Sequence, residues 1–266
     1  MAVDRARQPV VLTHSIGQAD GTRGSPGPDA IELHQAPKAS VLKKLLFGIA
    51  GILGLVLAVG LGTFRLFNVP SGSNLPTLRV GEYILTWRFA YGVSARTLPL
   101  PPDSFRGRLL ASNPQQGDMG VFATPKDGRT IFVKRVIGLP GDRVQMRQGR
   151  LFINGTVVPR EQAGTYLTKD EFGQDKQVPK YVETLPNGSQ HEIIEIQGDG
   201  GYYDNTAEYV VPQGSYFLMG DNRDNSDDSR NLDTIGYIPA DNFVAKAWRI
   251  LVLAGKDEQR QFKIIQ

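Results

Sequence analysis

A lysine within an apolar strand is the residue whose surroundings point most directly to chemistry. Lys134 lies in the run IFVKRVI, residues 131–137. Because side chains alternate along a strand, Lys134 shares one face with Phe132 and Val136. Burial on that face would lower the pKa of Lys134 and allow the neutral amine to act as a general base. A lysine that keeps an edge strand from aggregating explains the same pattern, and on the pattern alone this second explanation is slightly favoured.

A serine hydroxyl is the nucleophile that such a base would activate. The sequence contains no cysteine, which excludes thiol peptidases, disulfides and thiolate metal sites. A Ser-His-Asp triad needs a histidine beside the serine. His14 and His34 lie in the N-terminal tail, and His191 lies in a polar segment where we expect a solvated side chain. Serine with lysine as its base is the pairing that remains.

Three further patterns contain residue types found in metal or phosphate sites. In DNRDNSDDSRNL, residues 221–232, the sixth position is Ser226 rather than glycine and the twelfth is Leu232 rather than glutamate, which excludes an EF-hand. The HEIIE sequence at His191 lacks the second histidine of a zinc motif. GDGG, residues 198–201, follows no strand-to-helix pattern and is weak evidence for phosphate binding. No metal or cofactor is therefore expected.

The composition favours a turn-rich β protein. The 266 residues include 30 Gly and 17 Pro, which separate short β-branched or aromatic runs. The net charge of +3 is too small and too dispersed to indicate nucleic acid binding. A hairpin is predicted around Gly149. Strands are predicted at residues 82–87, 119–124, 130–138, 215–220 and 242–254.

An uncharged apolar stretch precedes these strands. Residues 45–64 form 20 consecutive positions without a charge, which is the length that a membrane-spanning helix needs. The stretch is longer than the apolar core of a cleaved signal peptide, so a retained span is predicted. Lys43 and Lys44 flank its N-terminal side, which indicates a cytoplasmic N-terminus and a domain outside the membrane.

Three separated segments resemble the signature boxes of the signal peptidase I family. They occur in the family's order and after the predicted span, and they cover the core of the domain but neither the tail nor the polar insertion. The segments are FNVPSGSNLPTLRVGEYIL at residues 67–85, FVKRVIGLPGDRV at residues 132–144, and MGDNRDNSDDSR at residues 219–230.

The resemblance implies roles for four side chains. Ser73 takes the place of the nucleophile and Lys134 that of the general base. Ser226 takes the place of the serine that orients the lysine. Ser71 takes the place of the oxyanion-hole hydroxyl, which acts together with the backbone N–H of Ser73. Five charged residues match those near the family's site and are expected to form ion pairs that hold the third segment: Arg135, Asp221, Arg223, Asp228 and Arg230.

The resemblance also implies a substrate class. The family cleaves after small residues at the first and third positions before the cut, which shallow apolar pockets would enforce. Asn74 replaces the methionine that follows the nucleophile in the family and helps to line the first pocket, so it would make this pocket more polar. The remaining candidates for the pocket lining are Phe67, Val69, Leu78, Ile84, Val121, Phe132 and Val133.

The resulting prediction is a mainly β, signal-peptidase-type catalytic core with an inserted second region, preceded by one transmembrane helix. The predicted parts are a disordered cytoplasmic tail at residues 1–41, a span at 42–65, a catalytic core at 66–155 and 212–266, and a β-rich insertion at 156–211. The chain is expected in the bacterial inner membrane, where it contacts lipid and cleaves exported preproteins without a metal, cofactor or nucleic acid. The sequence does not define the oligomeric state, and a monomer is compatible with it.

Three alternatives remain at this point. A dedicated maturation peptidase of the same fold, such as those of conjugative transfer, would serve few substrates, and Asn74 slightly favours it. An inactive membrane-tethered assembly factor is opposed by the presence of the four serine and lysine residues named above. A self-cleaving Ser/Lys repressor is opposed by the predicted span and by the lack of a recognisable DNA-binding motif.

Overall fold

The computed structural model describes residues 39–98, 104–169, 172–252 and 257–265. Within these ranges the chain forms one α-helix, α1, at Ala39–Thr63 and fourteen strands. The strands are β1 Phe64–Asn68, β2 Tyr83–Trp87, β3 Met119–Ala123, β4 Ile131–Gly138, β5 Arg143–Arg147, β6 Arg150–Ile153, β7 Thr156–Val157, β8 Arg160–Lys169, β9 Asp175–Thr184, β10 Gln190–Ile194, β11 Tyr209–Val210, β12 Ser215–Met219, β13 Ile238–Pro239 and β14 Phe243–Leu251. Short 3-10 helices lie at Ala95–Thr97, Ala240–Asn242 and Glu258–Arg260. The mainly β prediction is confirmed.

A seven-stranded antiparallel sheet forms the core, in the order β1-β2-β14-β3-β4-β12-β13. Its strands β2, β3, β4, β12 and β14 are those that the apolar runs predict. Because side chains alternate, Val121 joins one buried cluster and Phe122, the next residue of β3, joins another. Full burial of one such side chain stabilises the fold by about 1.5–3 kcal/mol.

The predicted hairpin at Gly149 is confirmed. Strands β5 and β6 pair antiparallel, with Arg147 opposite Arg150. Gln148 and Gly149 between them both have positive φ values, 48° and 69°, as a type I′ turn requires. This hairpin is the centre of a four-stranded sheet with the order β11-β5-β6-β7.

The polar insertion is more regular than its sequence indicates. Strands β8 and β9, each of ten residues, form a long hairpin, and β10 pairs with β9 to complete a three-stranded sheet. The end of β10 also bridges to the third segment of the core, with Ile194 opposite Asn222. The insertion is therefore hydrogen-bonded to the segment that carries Ser226.

The predicted disordered tail lies largely outside the described residues, whereas the predicted span lies within them. Of the predicted disordered tail only residues 39–41 are described, and they begin α1. Among the residues that the structure describes, no helix combines the length and apolar character of a membrane span, so the transmembrane prediction is not confirmed. Contacts divide the chain into a first unit, Met1–Ala50, and a second, Gly51–Gln266, which contains every described strand.

Candidate active site

Lys134 lies in the middle of β4 with only 1% of its surface exposed. Its Nζ donates a hydrogen bond of 2.9 Å to Ser226 Oγ. Burial lowers the pKa of Lys134 to about 8, although the carboxylate of Asp228 opposes this shift. The predicted burial of Lys134 is confirmed, and a neutral amine is accessible near physiological pH.

Ser71 and Ser73 lie in the loop that follows β1. Their Oγ atoms are 3.4 Å apart, within hydrogen-bond distance, and Ser73 is half-buried whereas Ser71 is exposed. The loop turns tightly because Leu75 N donates to Gly72 O and Leu78 N donates to Asn74 O. The two hydroxyls are thus presented on an ordered turn that solvent and a substrate can reach.

Asn222 fixes this turn to the third segment. Its backbone N–H donates to Ser73 O at 3.1 Å and its Nδ2 donates to Gly72 O at 3.0 Å. Asn222 is fully buried, so both bonds are shielded from water. Sequence reasoning missed this residue, although its place between the acidic and basic residues of the third segment was a signal that it lies near the site.

Gly220 lies where the loop that contains Ser73 and the loop that contains Ser226 meet. A Cβ atom at this position would overlap both Ser73 O and Ser226 Oγ. The absence of a side chain therefore allows the carbonyl of Ser73 and the hydroxyl that binds Lys134 to approach each other. In the described part of the chain no hydrogen bond joins Ser73 Oγ directly to Lys134 Nζ. Ser73 Oγ is paired with Ser71 Oγ, and Lys134 Nζ donates to Ser226 Oγ.

The side chain of Asn74 is buried against β4 and does not take its predicted place in the pocket lining. Its side chain is 1% exposed, and Nδ2 donates a 2.8 Å hydrogen bond to Val133 O, the residue before Lys134. Asn74 Oδ1 is buried without a hydrogen-bond partner among the described residues. An amide can satisfy the backbone of β4 where a methionine cannot, which explains why the side chain turns inward. Because Asn74 follows Ser73 and Val133 precedes Lys134, this hydrogen bond connects the Ser73 turn with β4 beside Lys134.

We expect Asn74→Ala to lower kcat for peptide cleavage as well as stability. The change leaves Val133 O unpaired, which costs about 1–3 kcal/mol, and it releases the turn that carries Ser73. Asn242→Ala is the matched control, because Asn242 Nδ2 also donates a 2.8 Å hydrogen bond to a strand carbonyl, that of Ala123 at the end of β3. Thermal melts and cleavage rates should show a loss of stability in both variants but a loss of kcat only in Asn74→Ala. Equal kcat values in the two variants would contradict this role.

The predicted pocket residues mostly share one apolar cluster. Phe132 is the exception, since it packs against a second cluster with Phe122 on the opposite face of the sheet. Phe67 and Val133 are partly buried and keep accessible surface. The other four have at most 2% of their surface exposed and are core residues of this cluster: Val69, Leu78, Ile84 and Val121.

Buried ion pairs fix the third segment to the core. Arg135, in β4, binds Asp221 through two hydrogen bonds, Nε to Oδ1 at 2.8 Å and Nη2 to Oδ2 at 2.7 Å. Thr77 Oγ1 donates to the same carboxylate at 2.5 Å. Arg230 forms a second pair with Asp228, whose Oδ2 also accepts from the backbone N–H of Gly220. These contacts constrain both ends of the loop that carries Ser226.

Arg223 has a partner that sequence reasoning did not identify. Its guanidinium binds Glu183 of β9 through two hydrogen bonds of 2.9 and 2.5 Å, and both side chains are buried. His191 Nε2 lies 3.5 Å from Glu183 Oε2, and His191 is only 4% exposed, so the expectation of a solvated histidine is wrong. Burial, with the charge of Arg135, lowers the pKa of His191 and keeps it neutral. The alternation along β10, in which Gln190 is exposed and His191 is buried, places this side chain inside the domain.

Comparison with known proteins gives a matching family model, sequence relatives and a solved structure. The profile of the family described as signal peptidase, peptidase S26, matches residues 42–252. Signal peptidase I of Rickettsia conorii is 38% identical over 192 residues, which cover 68% of each chain, and that of Rickettsia canadensis is 38% identical over 192 residues, covering 68% of this chain and 69% of the relative. A crystal structure of a signal peptidase I from Enterococcus faecalis is 26% identical with a TM-score of 0.29, and the match covers 51% of this chain and 97% of that one.

The sequence matches define the class. The chain belongs to the signal peptidase family, peptidase S26, as a serine peptidase of the signal peptidase I type.

Proposed function

We propose that the chain removes N-terminal signal peptides from exported preproteins, with Ser73 as nucleophile and Lys134 as general base. One observation carries this proposal: the only lysine with a strongly lowered pKa among the described residues is buried and hydrogen-bonded to Ser226, and Ser226 Oγ and Ser73 O both lie against Gly220. A buried amine of this kind serves no evident purpose in packing, because burying a lysine without a carboxylate partner is unfavourable.

The chemistry follows from these positions. With a pKa of about 8, roughly a tenth of Lys134 is neutral at pH 7, and this fraction accepts the proton of Ser73 Oγ as the oxygen attacks the scissile carbonyl. The ammonium then donates that proton to the leaving amine, and an acyl-enzyme ester on Ser73 remains. Neutral Lys134 next takes a proton from water, which hydrolyses the ester and restores the Ser73 hydroxyl. No step requires a metal or a cofactor.

The proposal also assigns the hydrogen-bond donors that stabilise the oxyanion and the apolar surface that selects the substrate. The hydroxyl of Ser71, 3.4 Å from Ser73 Oγ, and the backbone N–H of Ser73 are the donors for the developing negative charge. Phe67 and Val133 present the accessible apolar surface that would accept small side chains of an extended substrate.

We also propose that residues 42–65 anchor the chain in the bacterial inner membrane, with the catalytic domain on the outer side. The support is the charge-free stretch of residues 45–64 and the exposure of large apolar side chains along α1, which reaches 79% at Phe47. Extraction of membranes with alkaline carbonate should leave the full chain in the pellet, and release into the supernatant would contradict this part of the proposal.

Cleavage of a precursor with an Ala-x-Ala site tests the function. The full chain in detergent should release the signal peptide, whereas Ser73→Ala should not, because an alanine cannot form the ester intermediate. His191→Ala is the control, and it should cleave the precursor even if it lowers stability. Abolition of cleavage by His191→Ala while Ser73→Ala remained active would contradict the mechanism.

A dedicated maturation peptidase is the second candidate, and Asn74 at the position of the family's methionine is the observation that favours it. Generic signal-peptide substrates separate the two candidates, since a dedicated enzyme would leave most of them uncut. Full biological function of Ser73→Ala would instead favour an inactive assembly factor.

A further inference from the structure

Three carboxylates outside the proposed active site converge between the insertion and the third segment. Glu195 follows β10, Asp204 lies in the loop before β11, and Asp224 lies two residues before Ser226. One carboxylate oxygen from each lies within 4.8 Å of the others. Because the three ligands come from separate parts of the chain, no local sequence motif indicates the cluster.

Two of these carboxylates are buried. Glu195 is 0% exposed and Asp204 is 1% exposed. Among the described residues Glu195 Oε2 has no hydrogen-bond partner, although it is shielded from solvent. An ionised carboxylate in such a place is unfavourable unless a cation or a proton neutralises it.

The arginines near the cluster bind other carboxylates more closely than they bind those of the cluster. The one that touches it, Arg160, has Nη1 at 3.5 Å from Glu195 Oε1, beyond the usual length of an ion-pair hydrogen bond. Each nearby arginine has a closer carboxylate elsewhere, at 2.8 or 2.9 Å: Arg160 with Asp199, Arg223 with Glu183, and Arg230 with Asp228.

Backbone groups of the loop between β10 and β11 hold the two aspartates in place. Gln197 N donates to Asp224 Oδ2 at 2.7 Å, and Gly201 N donates to Asp204 Oδ2 at 2.5 Å. A Cβ atom at Gly201 would overlap Asp224 Oδ1, so this glycine permits the approach of the third segment. The carboxylates are therefore oriented toward one another despite their like charge.

We propose that Glu195, Asp204 and Asp224 bind a calcium ion. Ca²⁺ takes oxygen ligands at about 2.3–2.6 Å, so oxygens on opposite sides of the ion are separated by about 5 Å, and the observed spacing fits within this limit. Calcium also accepts irregular sets of six to eight ligands, which water and backbone carbonyls can complete beside the half-buried Asp224.

The ion would join the insertion to the segment that orients Lys134. Asp224 belongs to the same loop as Ser226, while Glu195 and Asp204 belong to the insertion. Calcium binding should therefore stabilise the domain and order this loop. Binding itself is independent of the proposed roles of Ser73 and Lys134, so either proposal can fail without the other.

Terbium luminescence and thermal melts test the site on the full chain in detergent after removal of metals with EDTA. Tyr203 precedes Asp204 and can sensitise Tb³⁺, which substitutes for Ca²⁺. The wild type should show saturable luminescence that Ca²⁺ displaces. Its melting temperature should rise by about 5–10 °C at a hundredfold excess of Ca²⁺ over Kd.

One ligand variant, one variant of the neighbouring glycine and one control make the result specific. Glu195→Gln removes a buried charge and should fold in EDTA at least as well as the wild type, but it should lose both signals. Gly201→Ala keeps all three carboxylates and should weaken binding at least tenfold by displacing Asp224. Asp233→Asn, an equal charge change at an exposed residue outside the cluster, should behave as wild type. Absence of a Ca²⁺-dependent shift in the wild type, or an unchanged shift in Glu195→Gln, would overturn the proposal.

Discussion

Lys134→Met is expected to abolish cleavage and to leave the domain at least as stable as the wild type. Loss of a general base lowers kcat by about 10²–10⁴-fold, and methionine cannot accept a proton. The side chains have similar length, so the packing of β4 is retained. This combination of effects distinguishes a catalytic lysine from a structural one, whose removal would reduce stability.

The stability part of this prediction follows from the pKa. Lowering the pKa of Lys134 from 10.5 to about 8 corresponds to about 3 kcal/mol against the folded state below pH 8. The folded state binds fewer protons than the unfolded state between about pH 8 and 10.5, so wild-type stability should rise with pH in this window. Methionine removes this dependence, and the unpaired Ser226 hydroxyl offsets about 1 kcal/mol of the gain.

Denaturant titrations at pH 7 and pH 10, together with cleavage rates, measure both effects. Lys126→Met is the control for the substitution itself, because Lys126 is exposed in a loop. It should retain wild-type activity and stability. A Lys134→Met variant that cleaves at more than about a tenth of the wild-type rate would show that another group is the base.

Asp221→Asn is expected to reduce the free energy of unfolding by about 3–5 kcal/mol. The change leaves the guanidinium of Arg135, which is 0% exposed, without its carboxylate partner. Burial alone would raise the pKa of Asp221, but the contact with Arg135 holds this pKa below its ordinary value. The pair is therefore ionised at neutral pH. Cleavage should fall as well, because Asp221 precedes the asparagine that binds Ser73 O.

A double variant and a surface pair serve as controls. Arg135→Met with Asp221→Leu removes both charges and should be more stable than Asp221→Asn, since no buried charge is left unpaired. Asp257→Asn breaks the exposed pair with Arg79, at 2.9 Å, and should cost only about 0–1 kcal/mol. Equal losses for Asp221→Asn and Asp257→Asn in urea titrations would contradict the buried-pair account.

Features encoded by neighbouring residues were predictable from the sequence. Strands β3 and β4 follow from β-branched and aromatic runs, whereas the alternation along β4 was compatible with a buried Lys134 but did not decide between burial and an edge-strand position. The β5–β6 hairpin follows from Gly149, because a turn of positive φ leaves few other residues possible.

Features that depend on distant partners were not predictable. The burial of His191 results from packing against Glu183 and Arg223, which lie in other elements. The inward orientation of Asn74 depends on an acceptor 59 residues away in β4. The insertion was predicted to be β-rich, but the bounds of its long strands β8 and β9 were not predictable, because much of their surface is exposed and they lack the apolar signal on which strand prediction relies.

The pH dependence of kcat/KM for an Ala-x-Ala peptide tests the central claim most directly, because the free amine of Lys134 must be neutral to act. We predict that wild type and His191→Ala share an acidic limb, along which the rate rises tenfold per pH unit up to an apparent pKa near 8. A limb centred near pH 6.5 that disappears in His191→Ala would instead identify a histidine base and contradict the account.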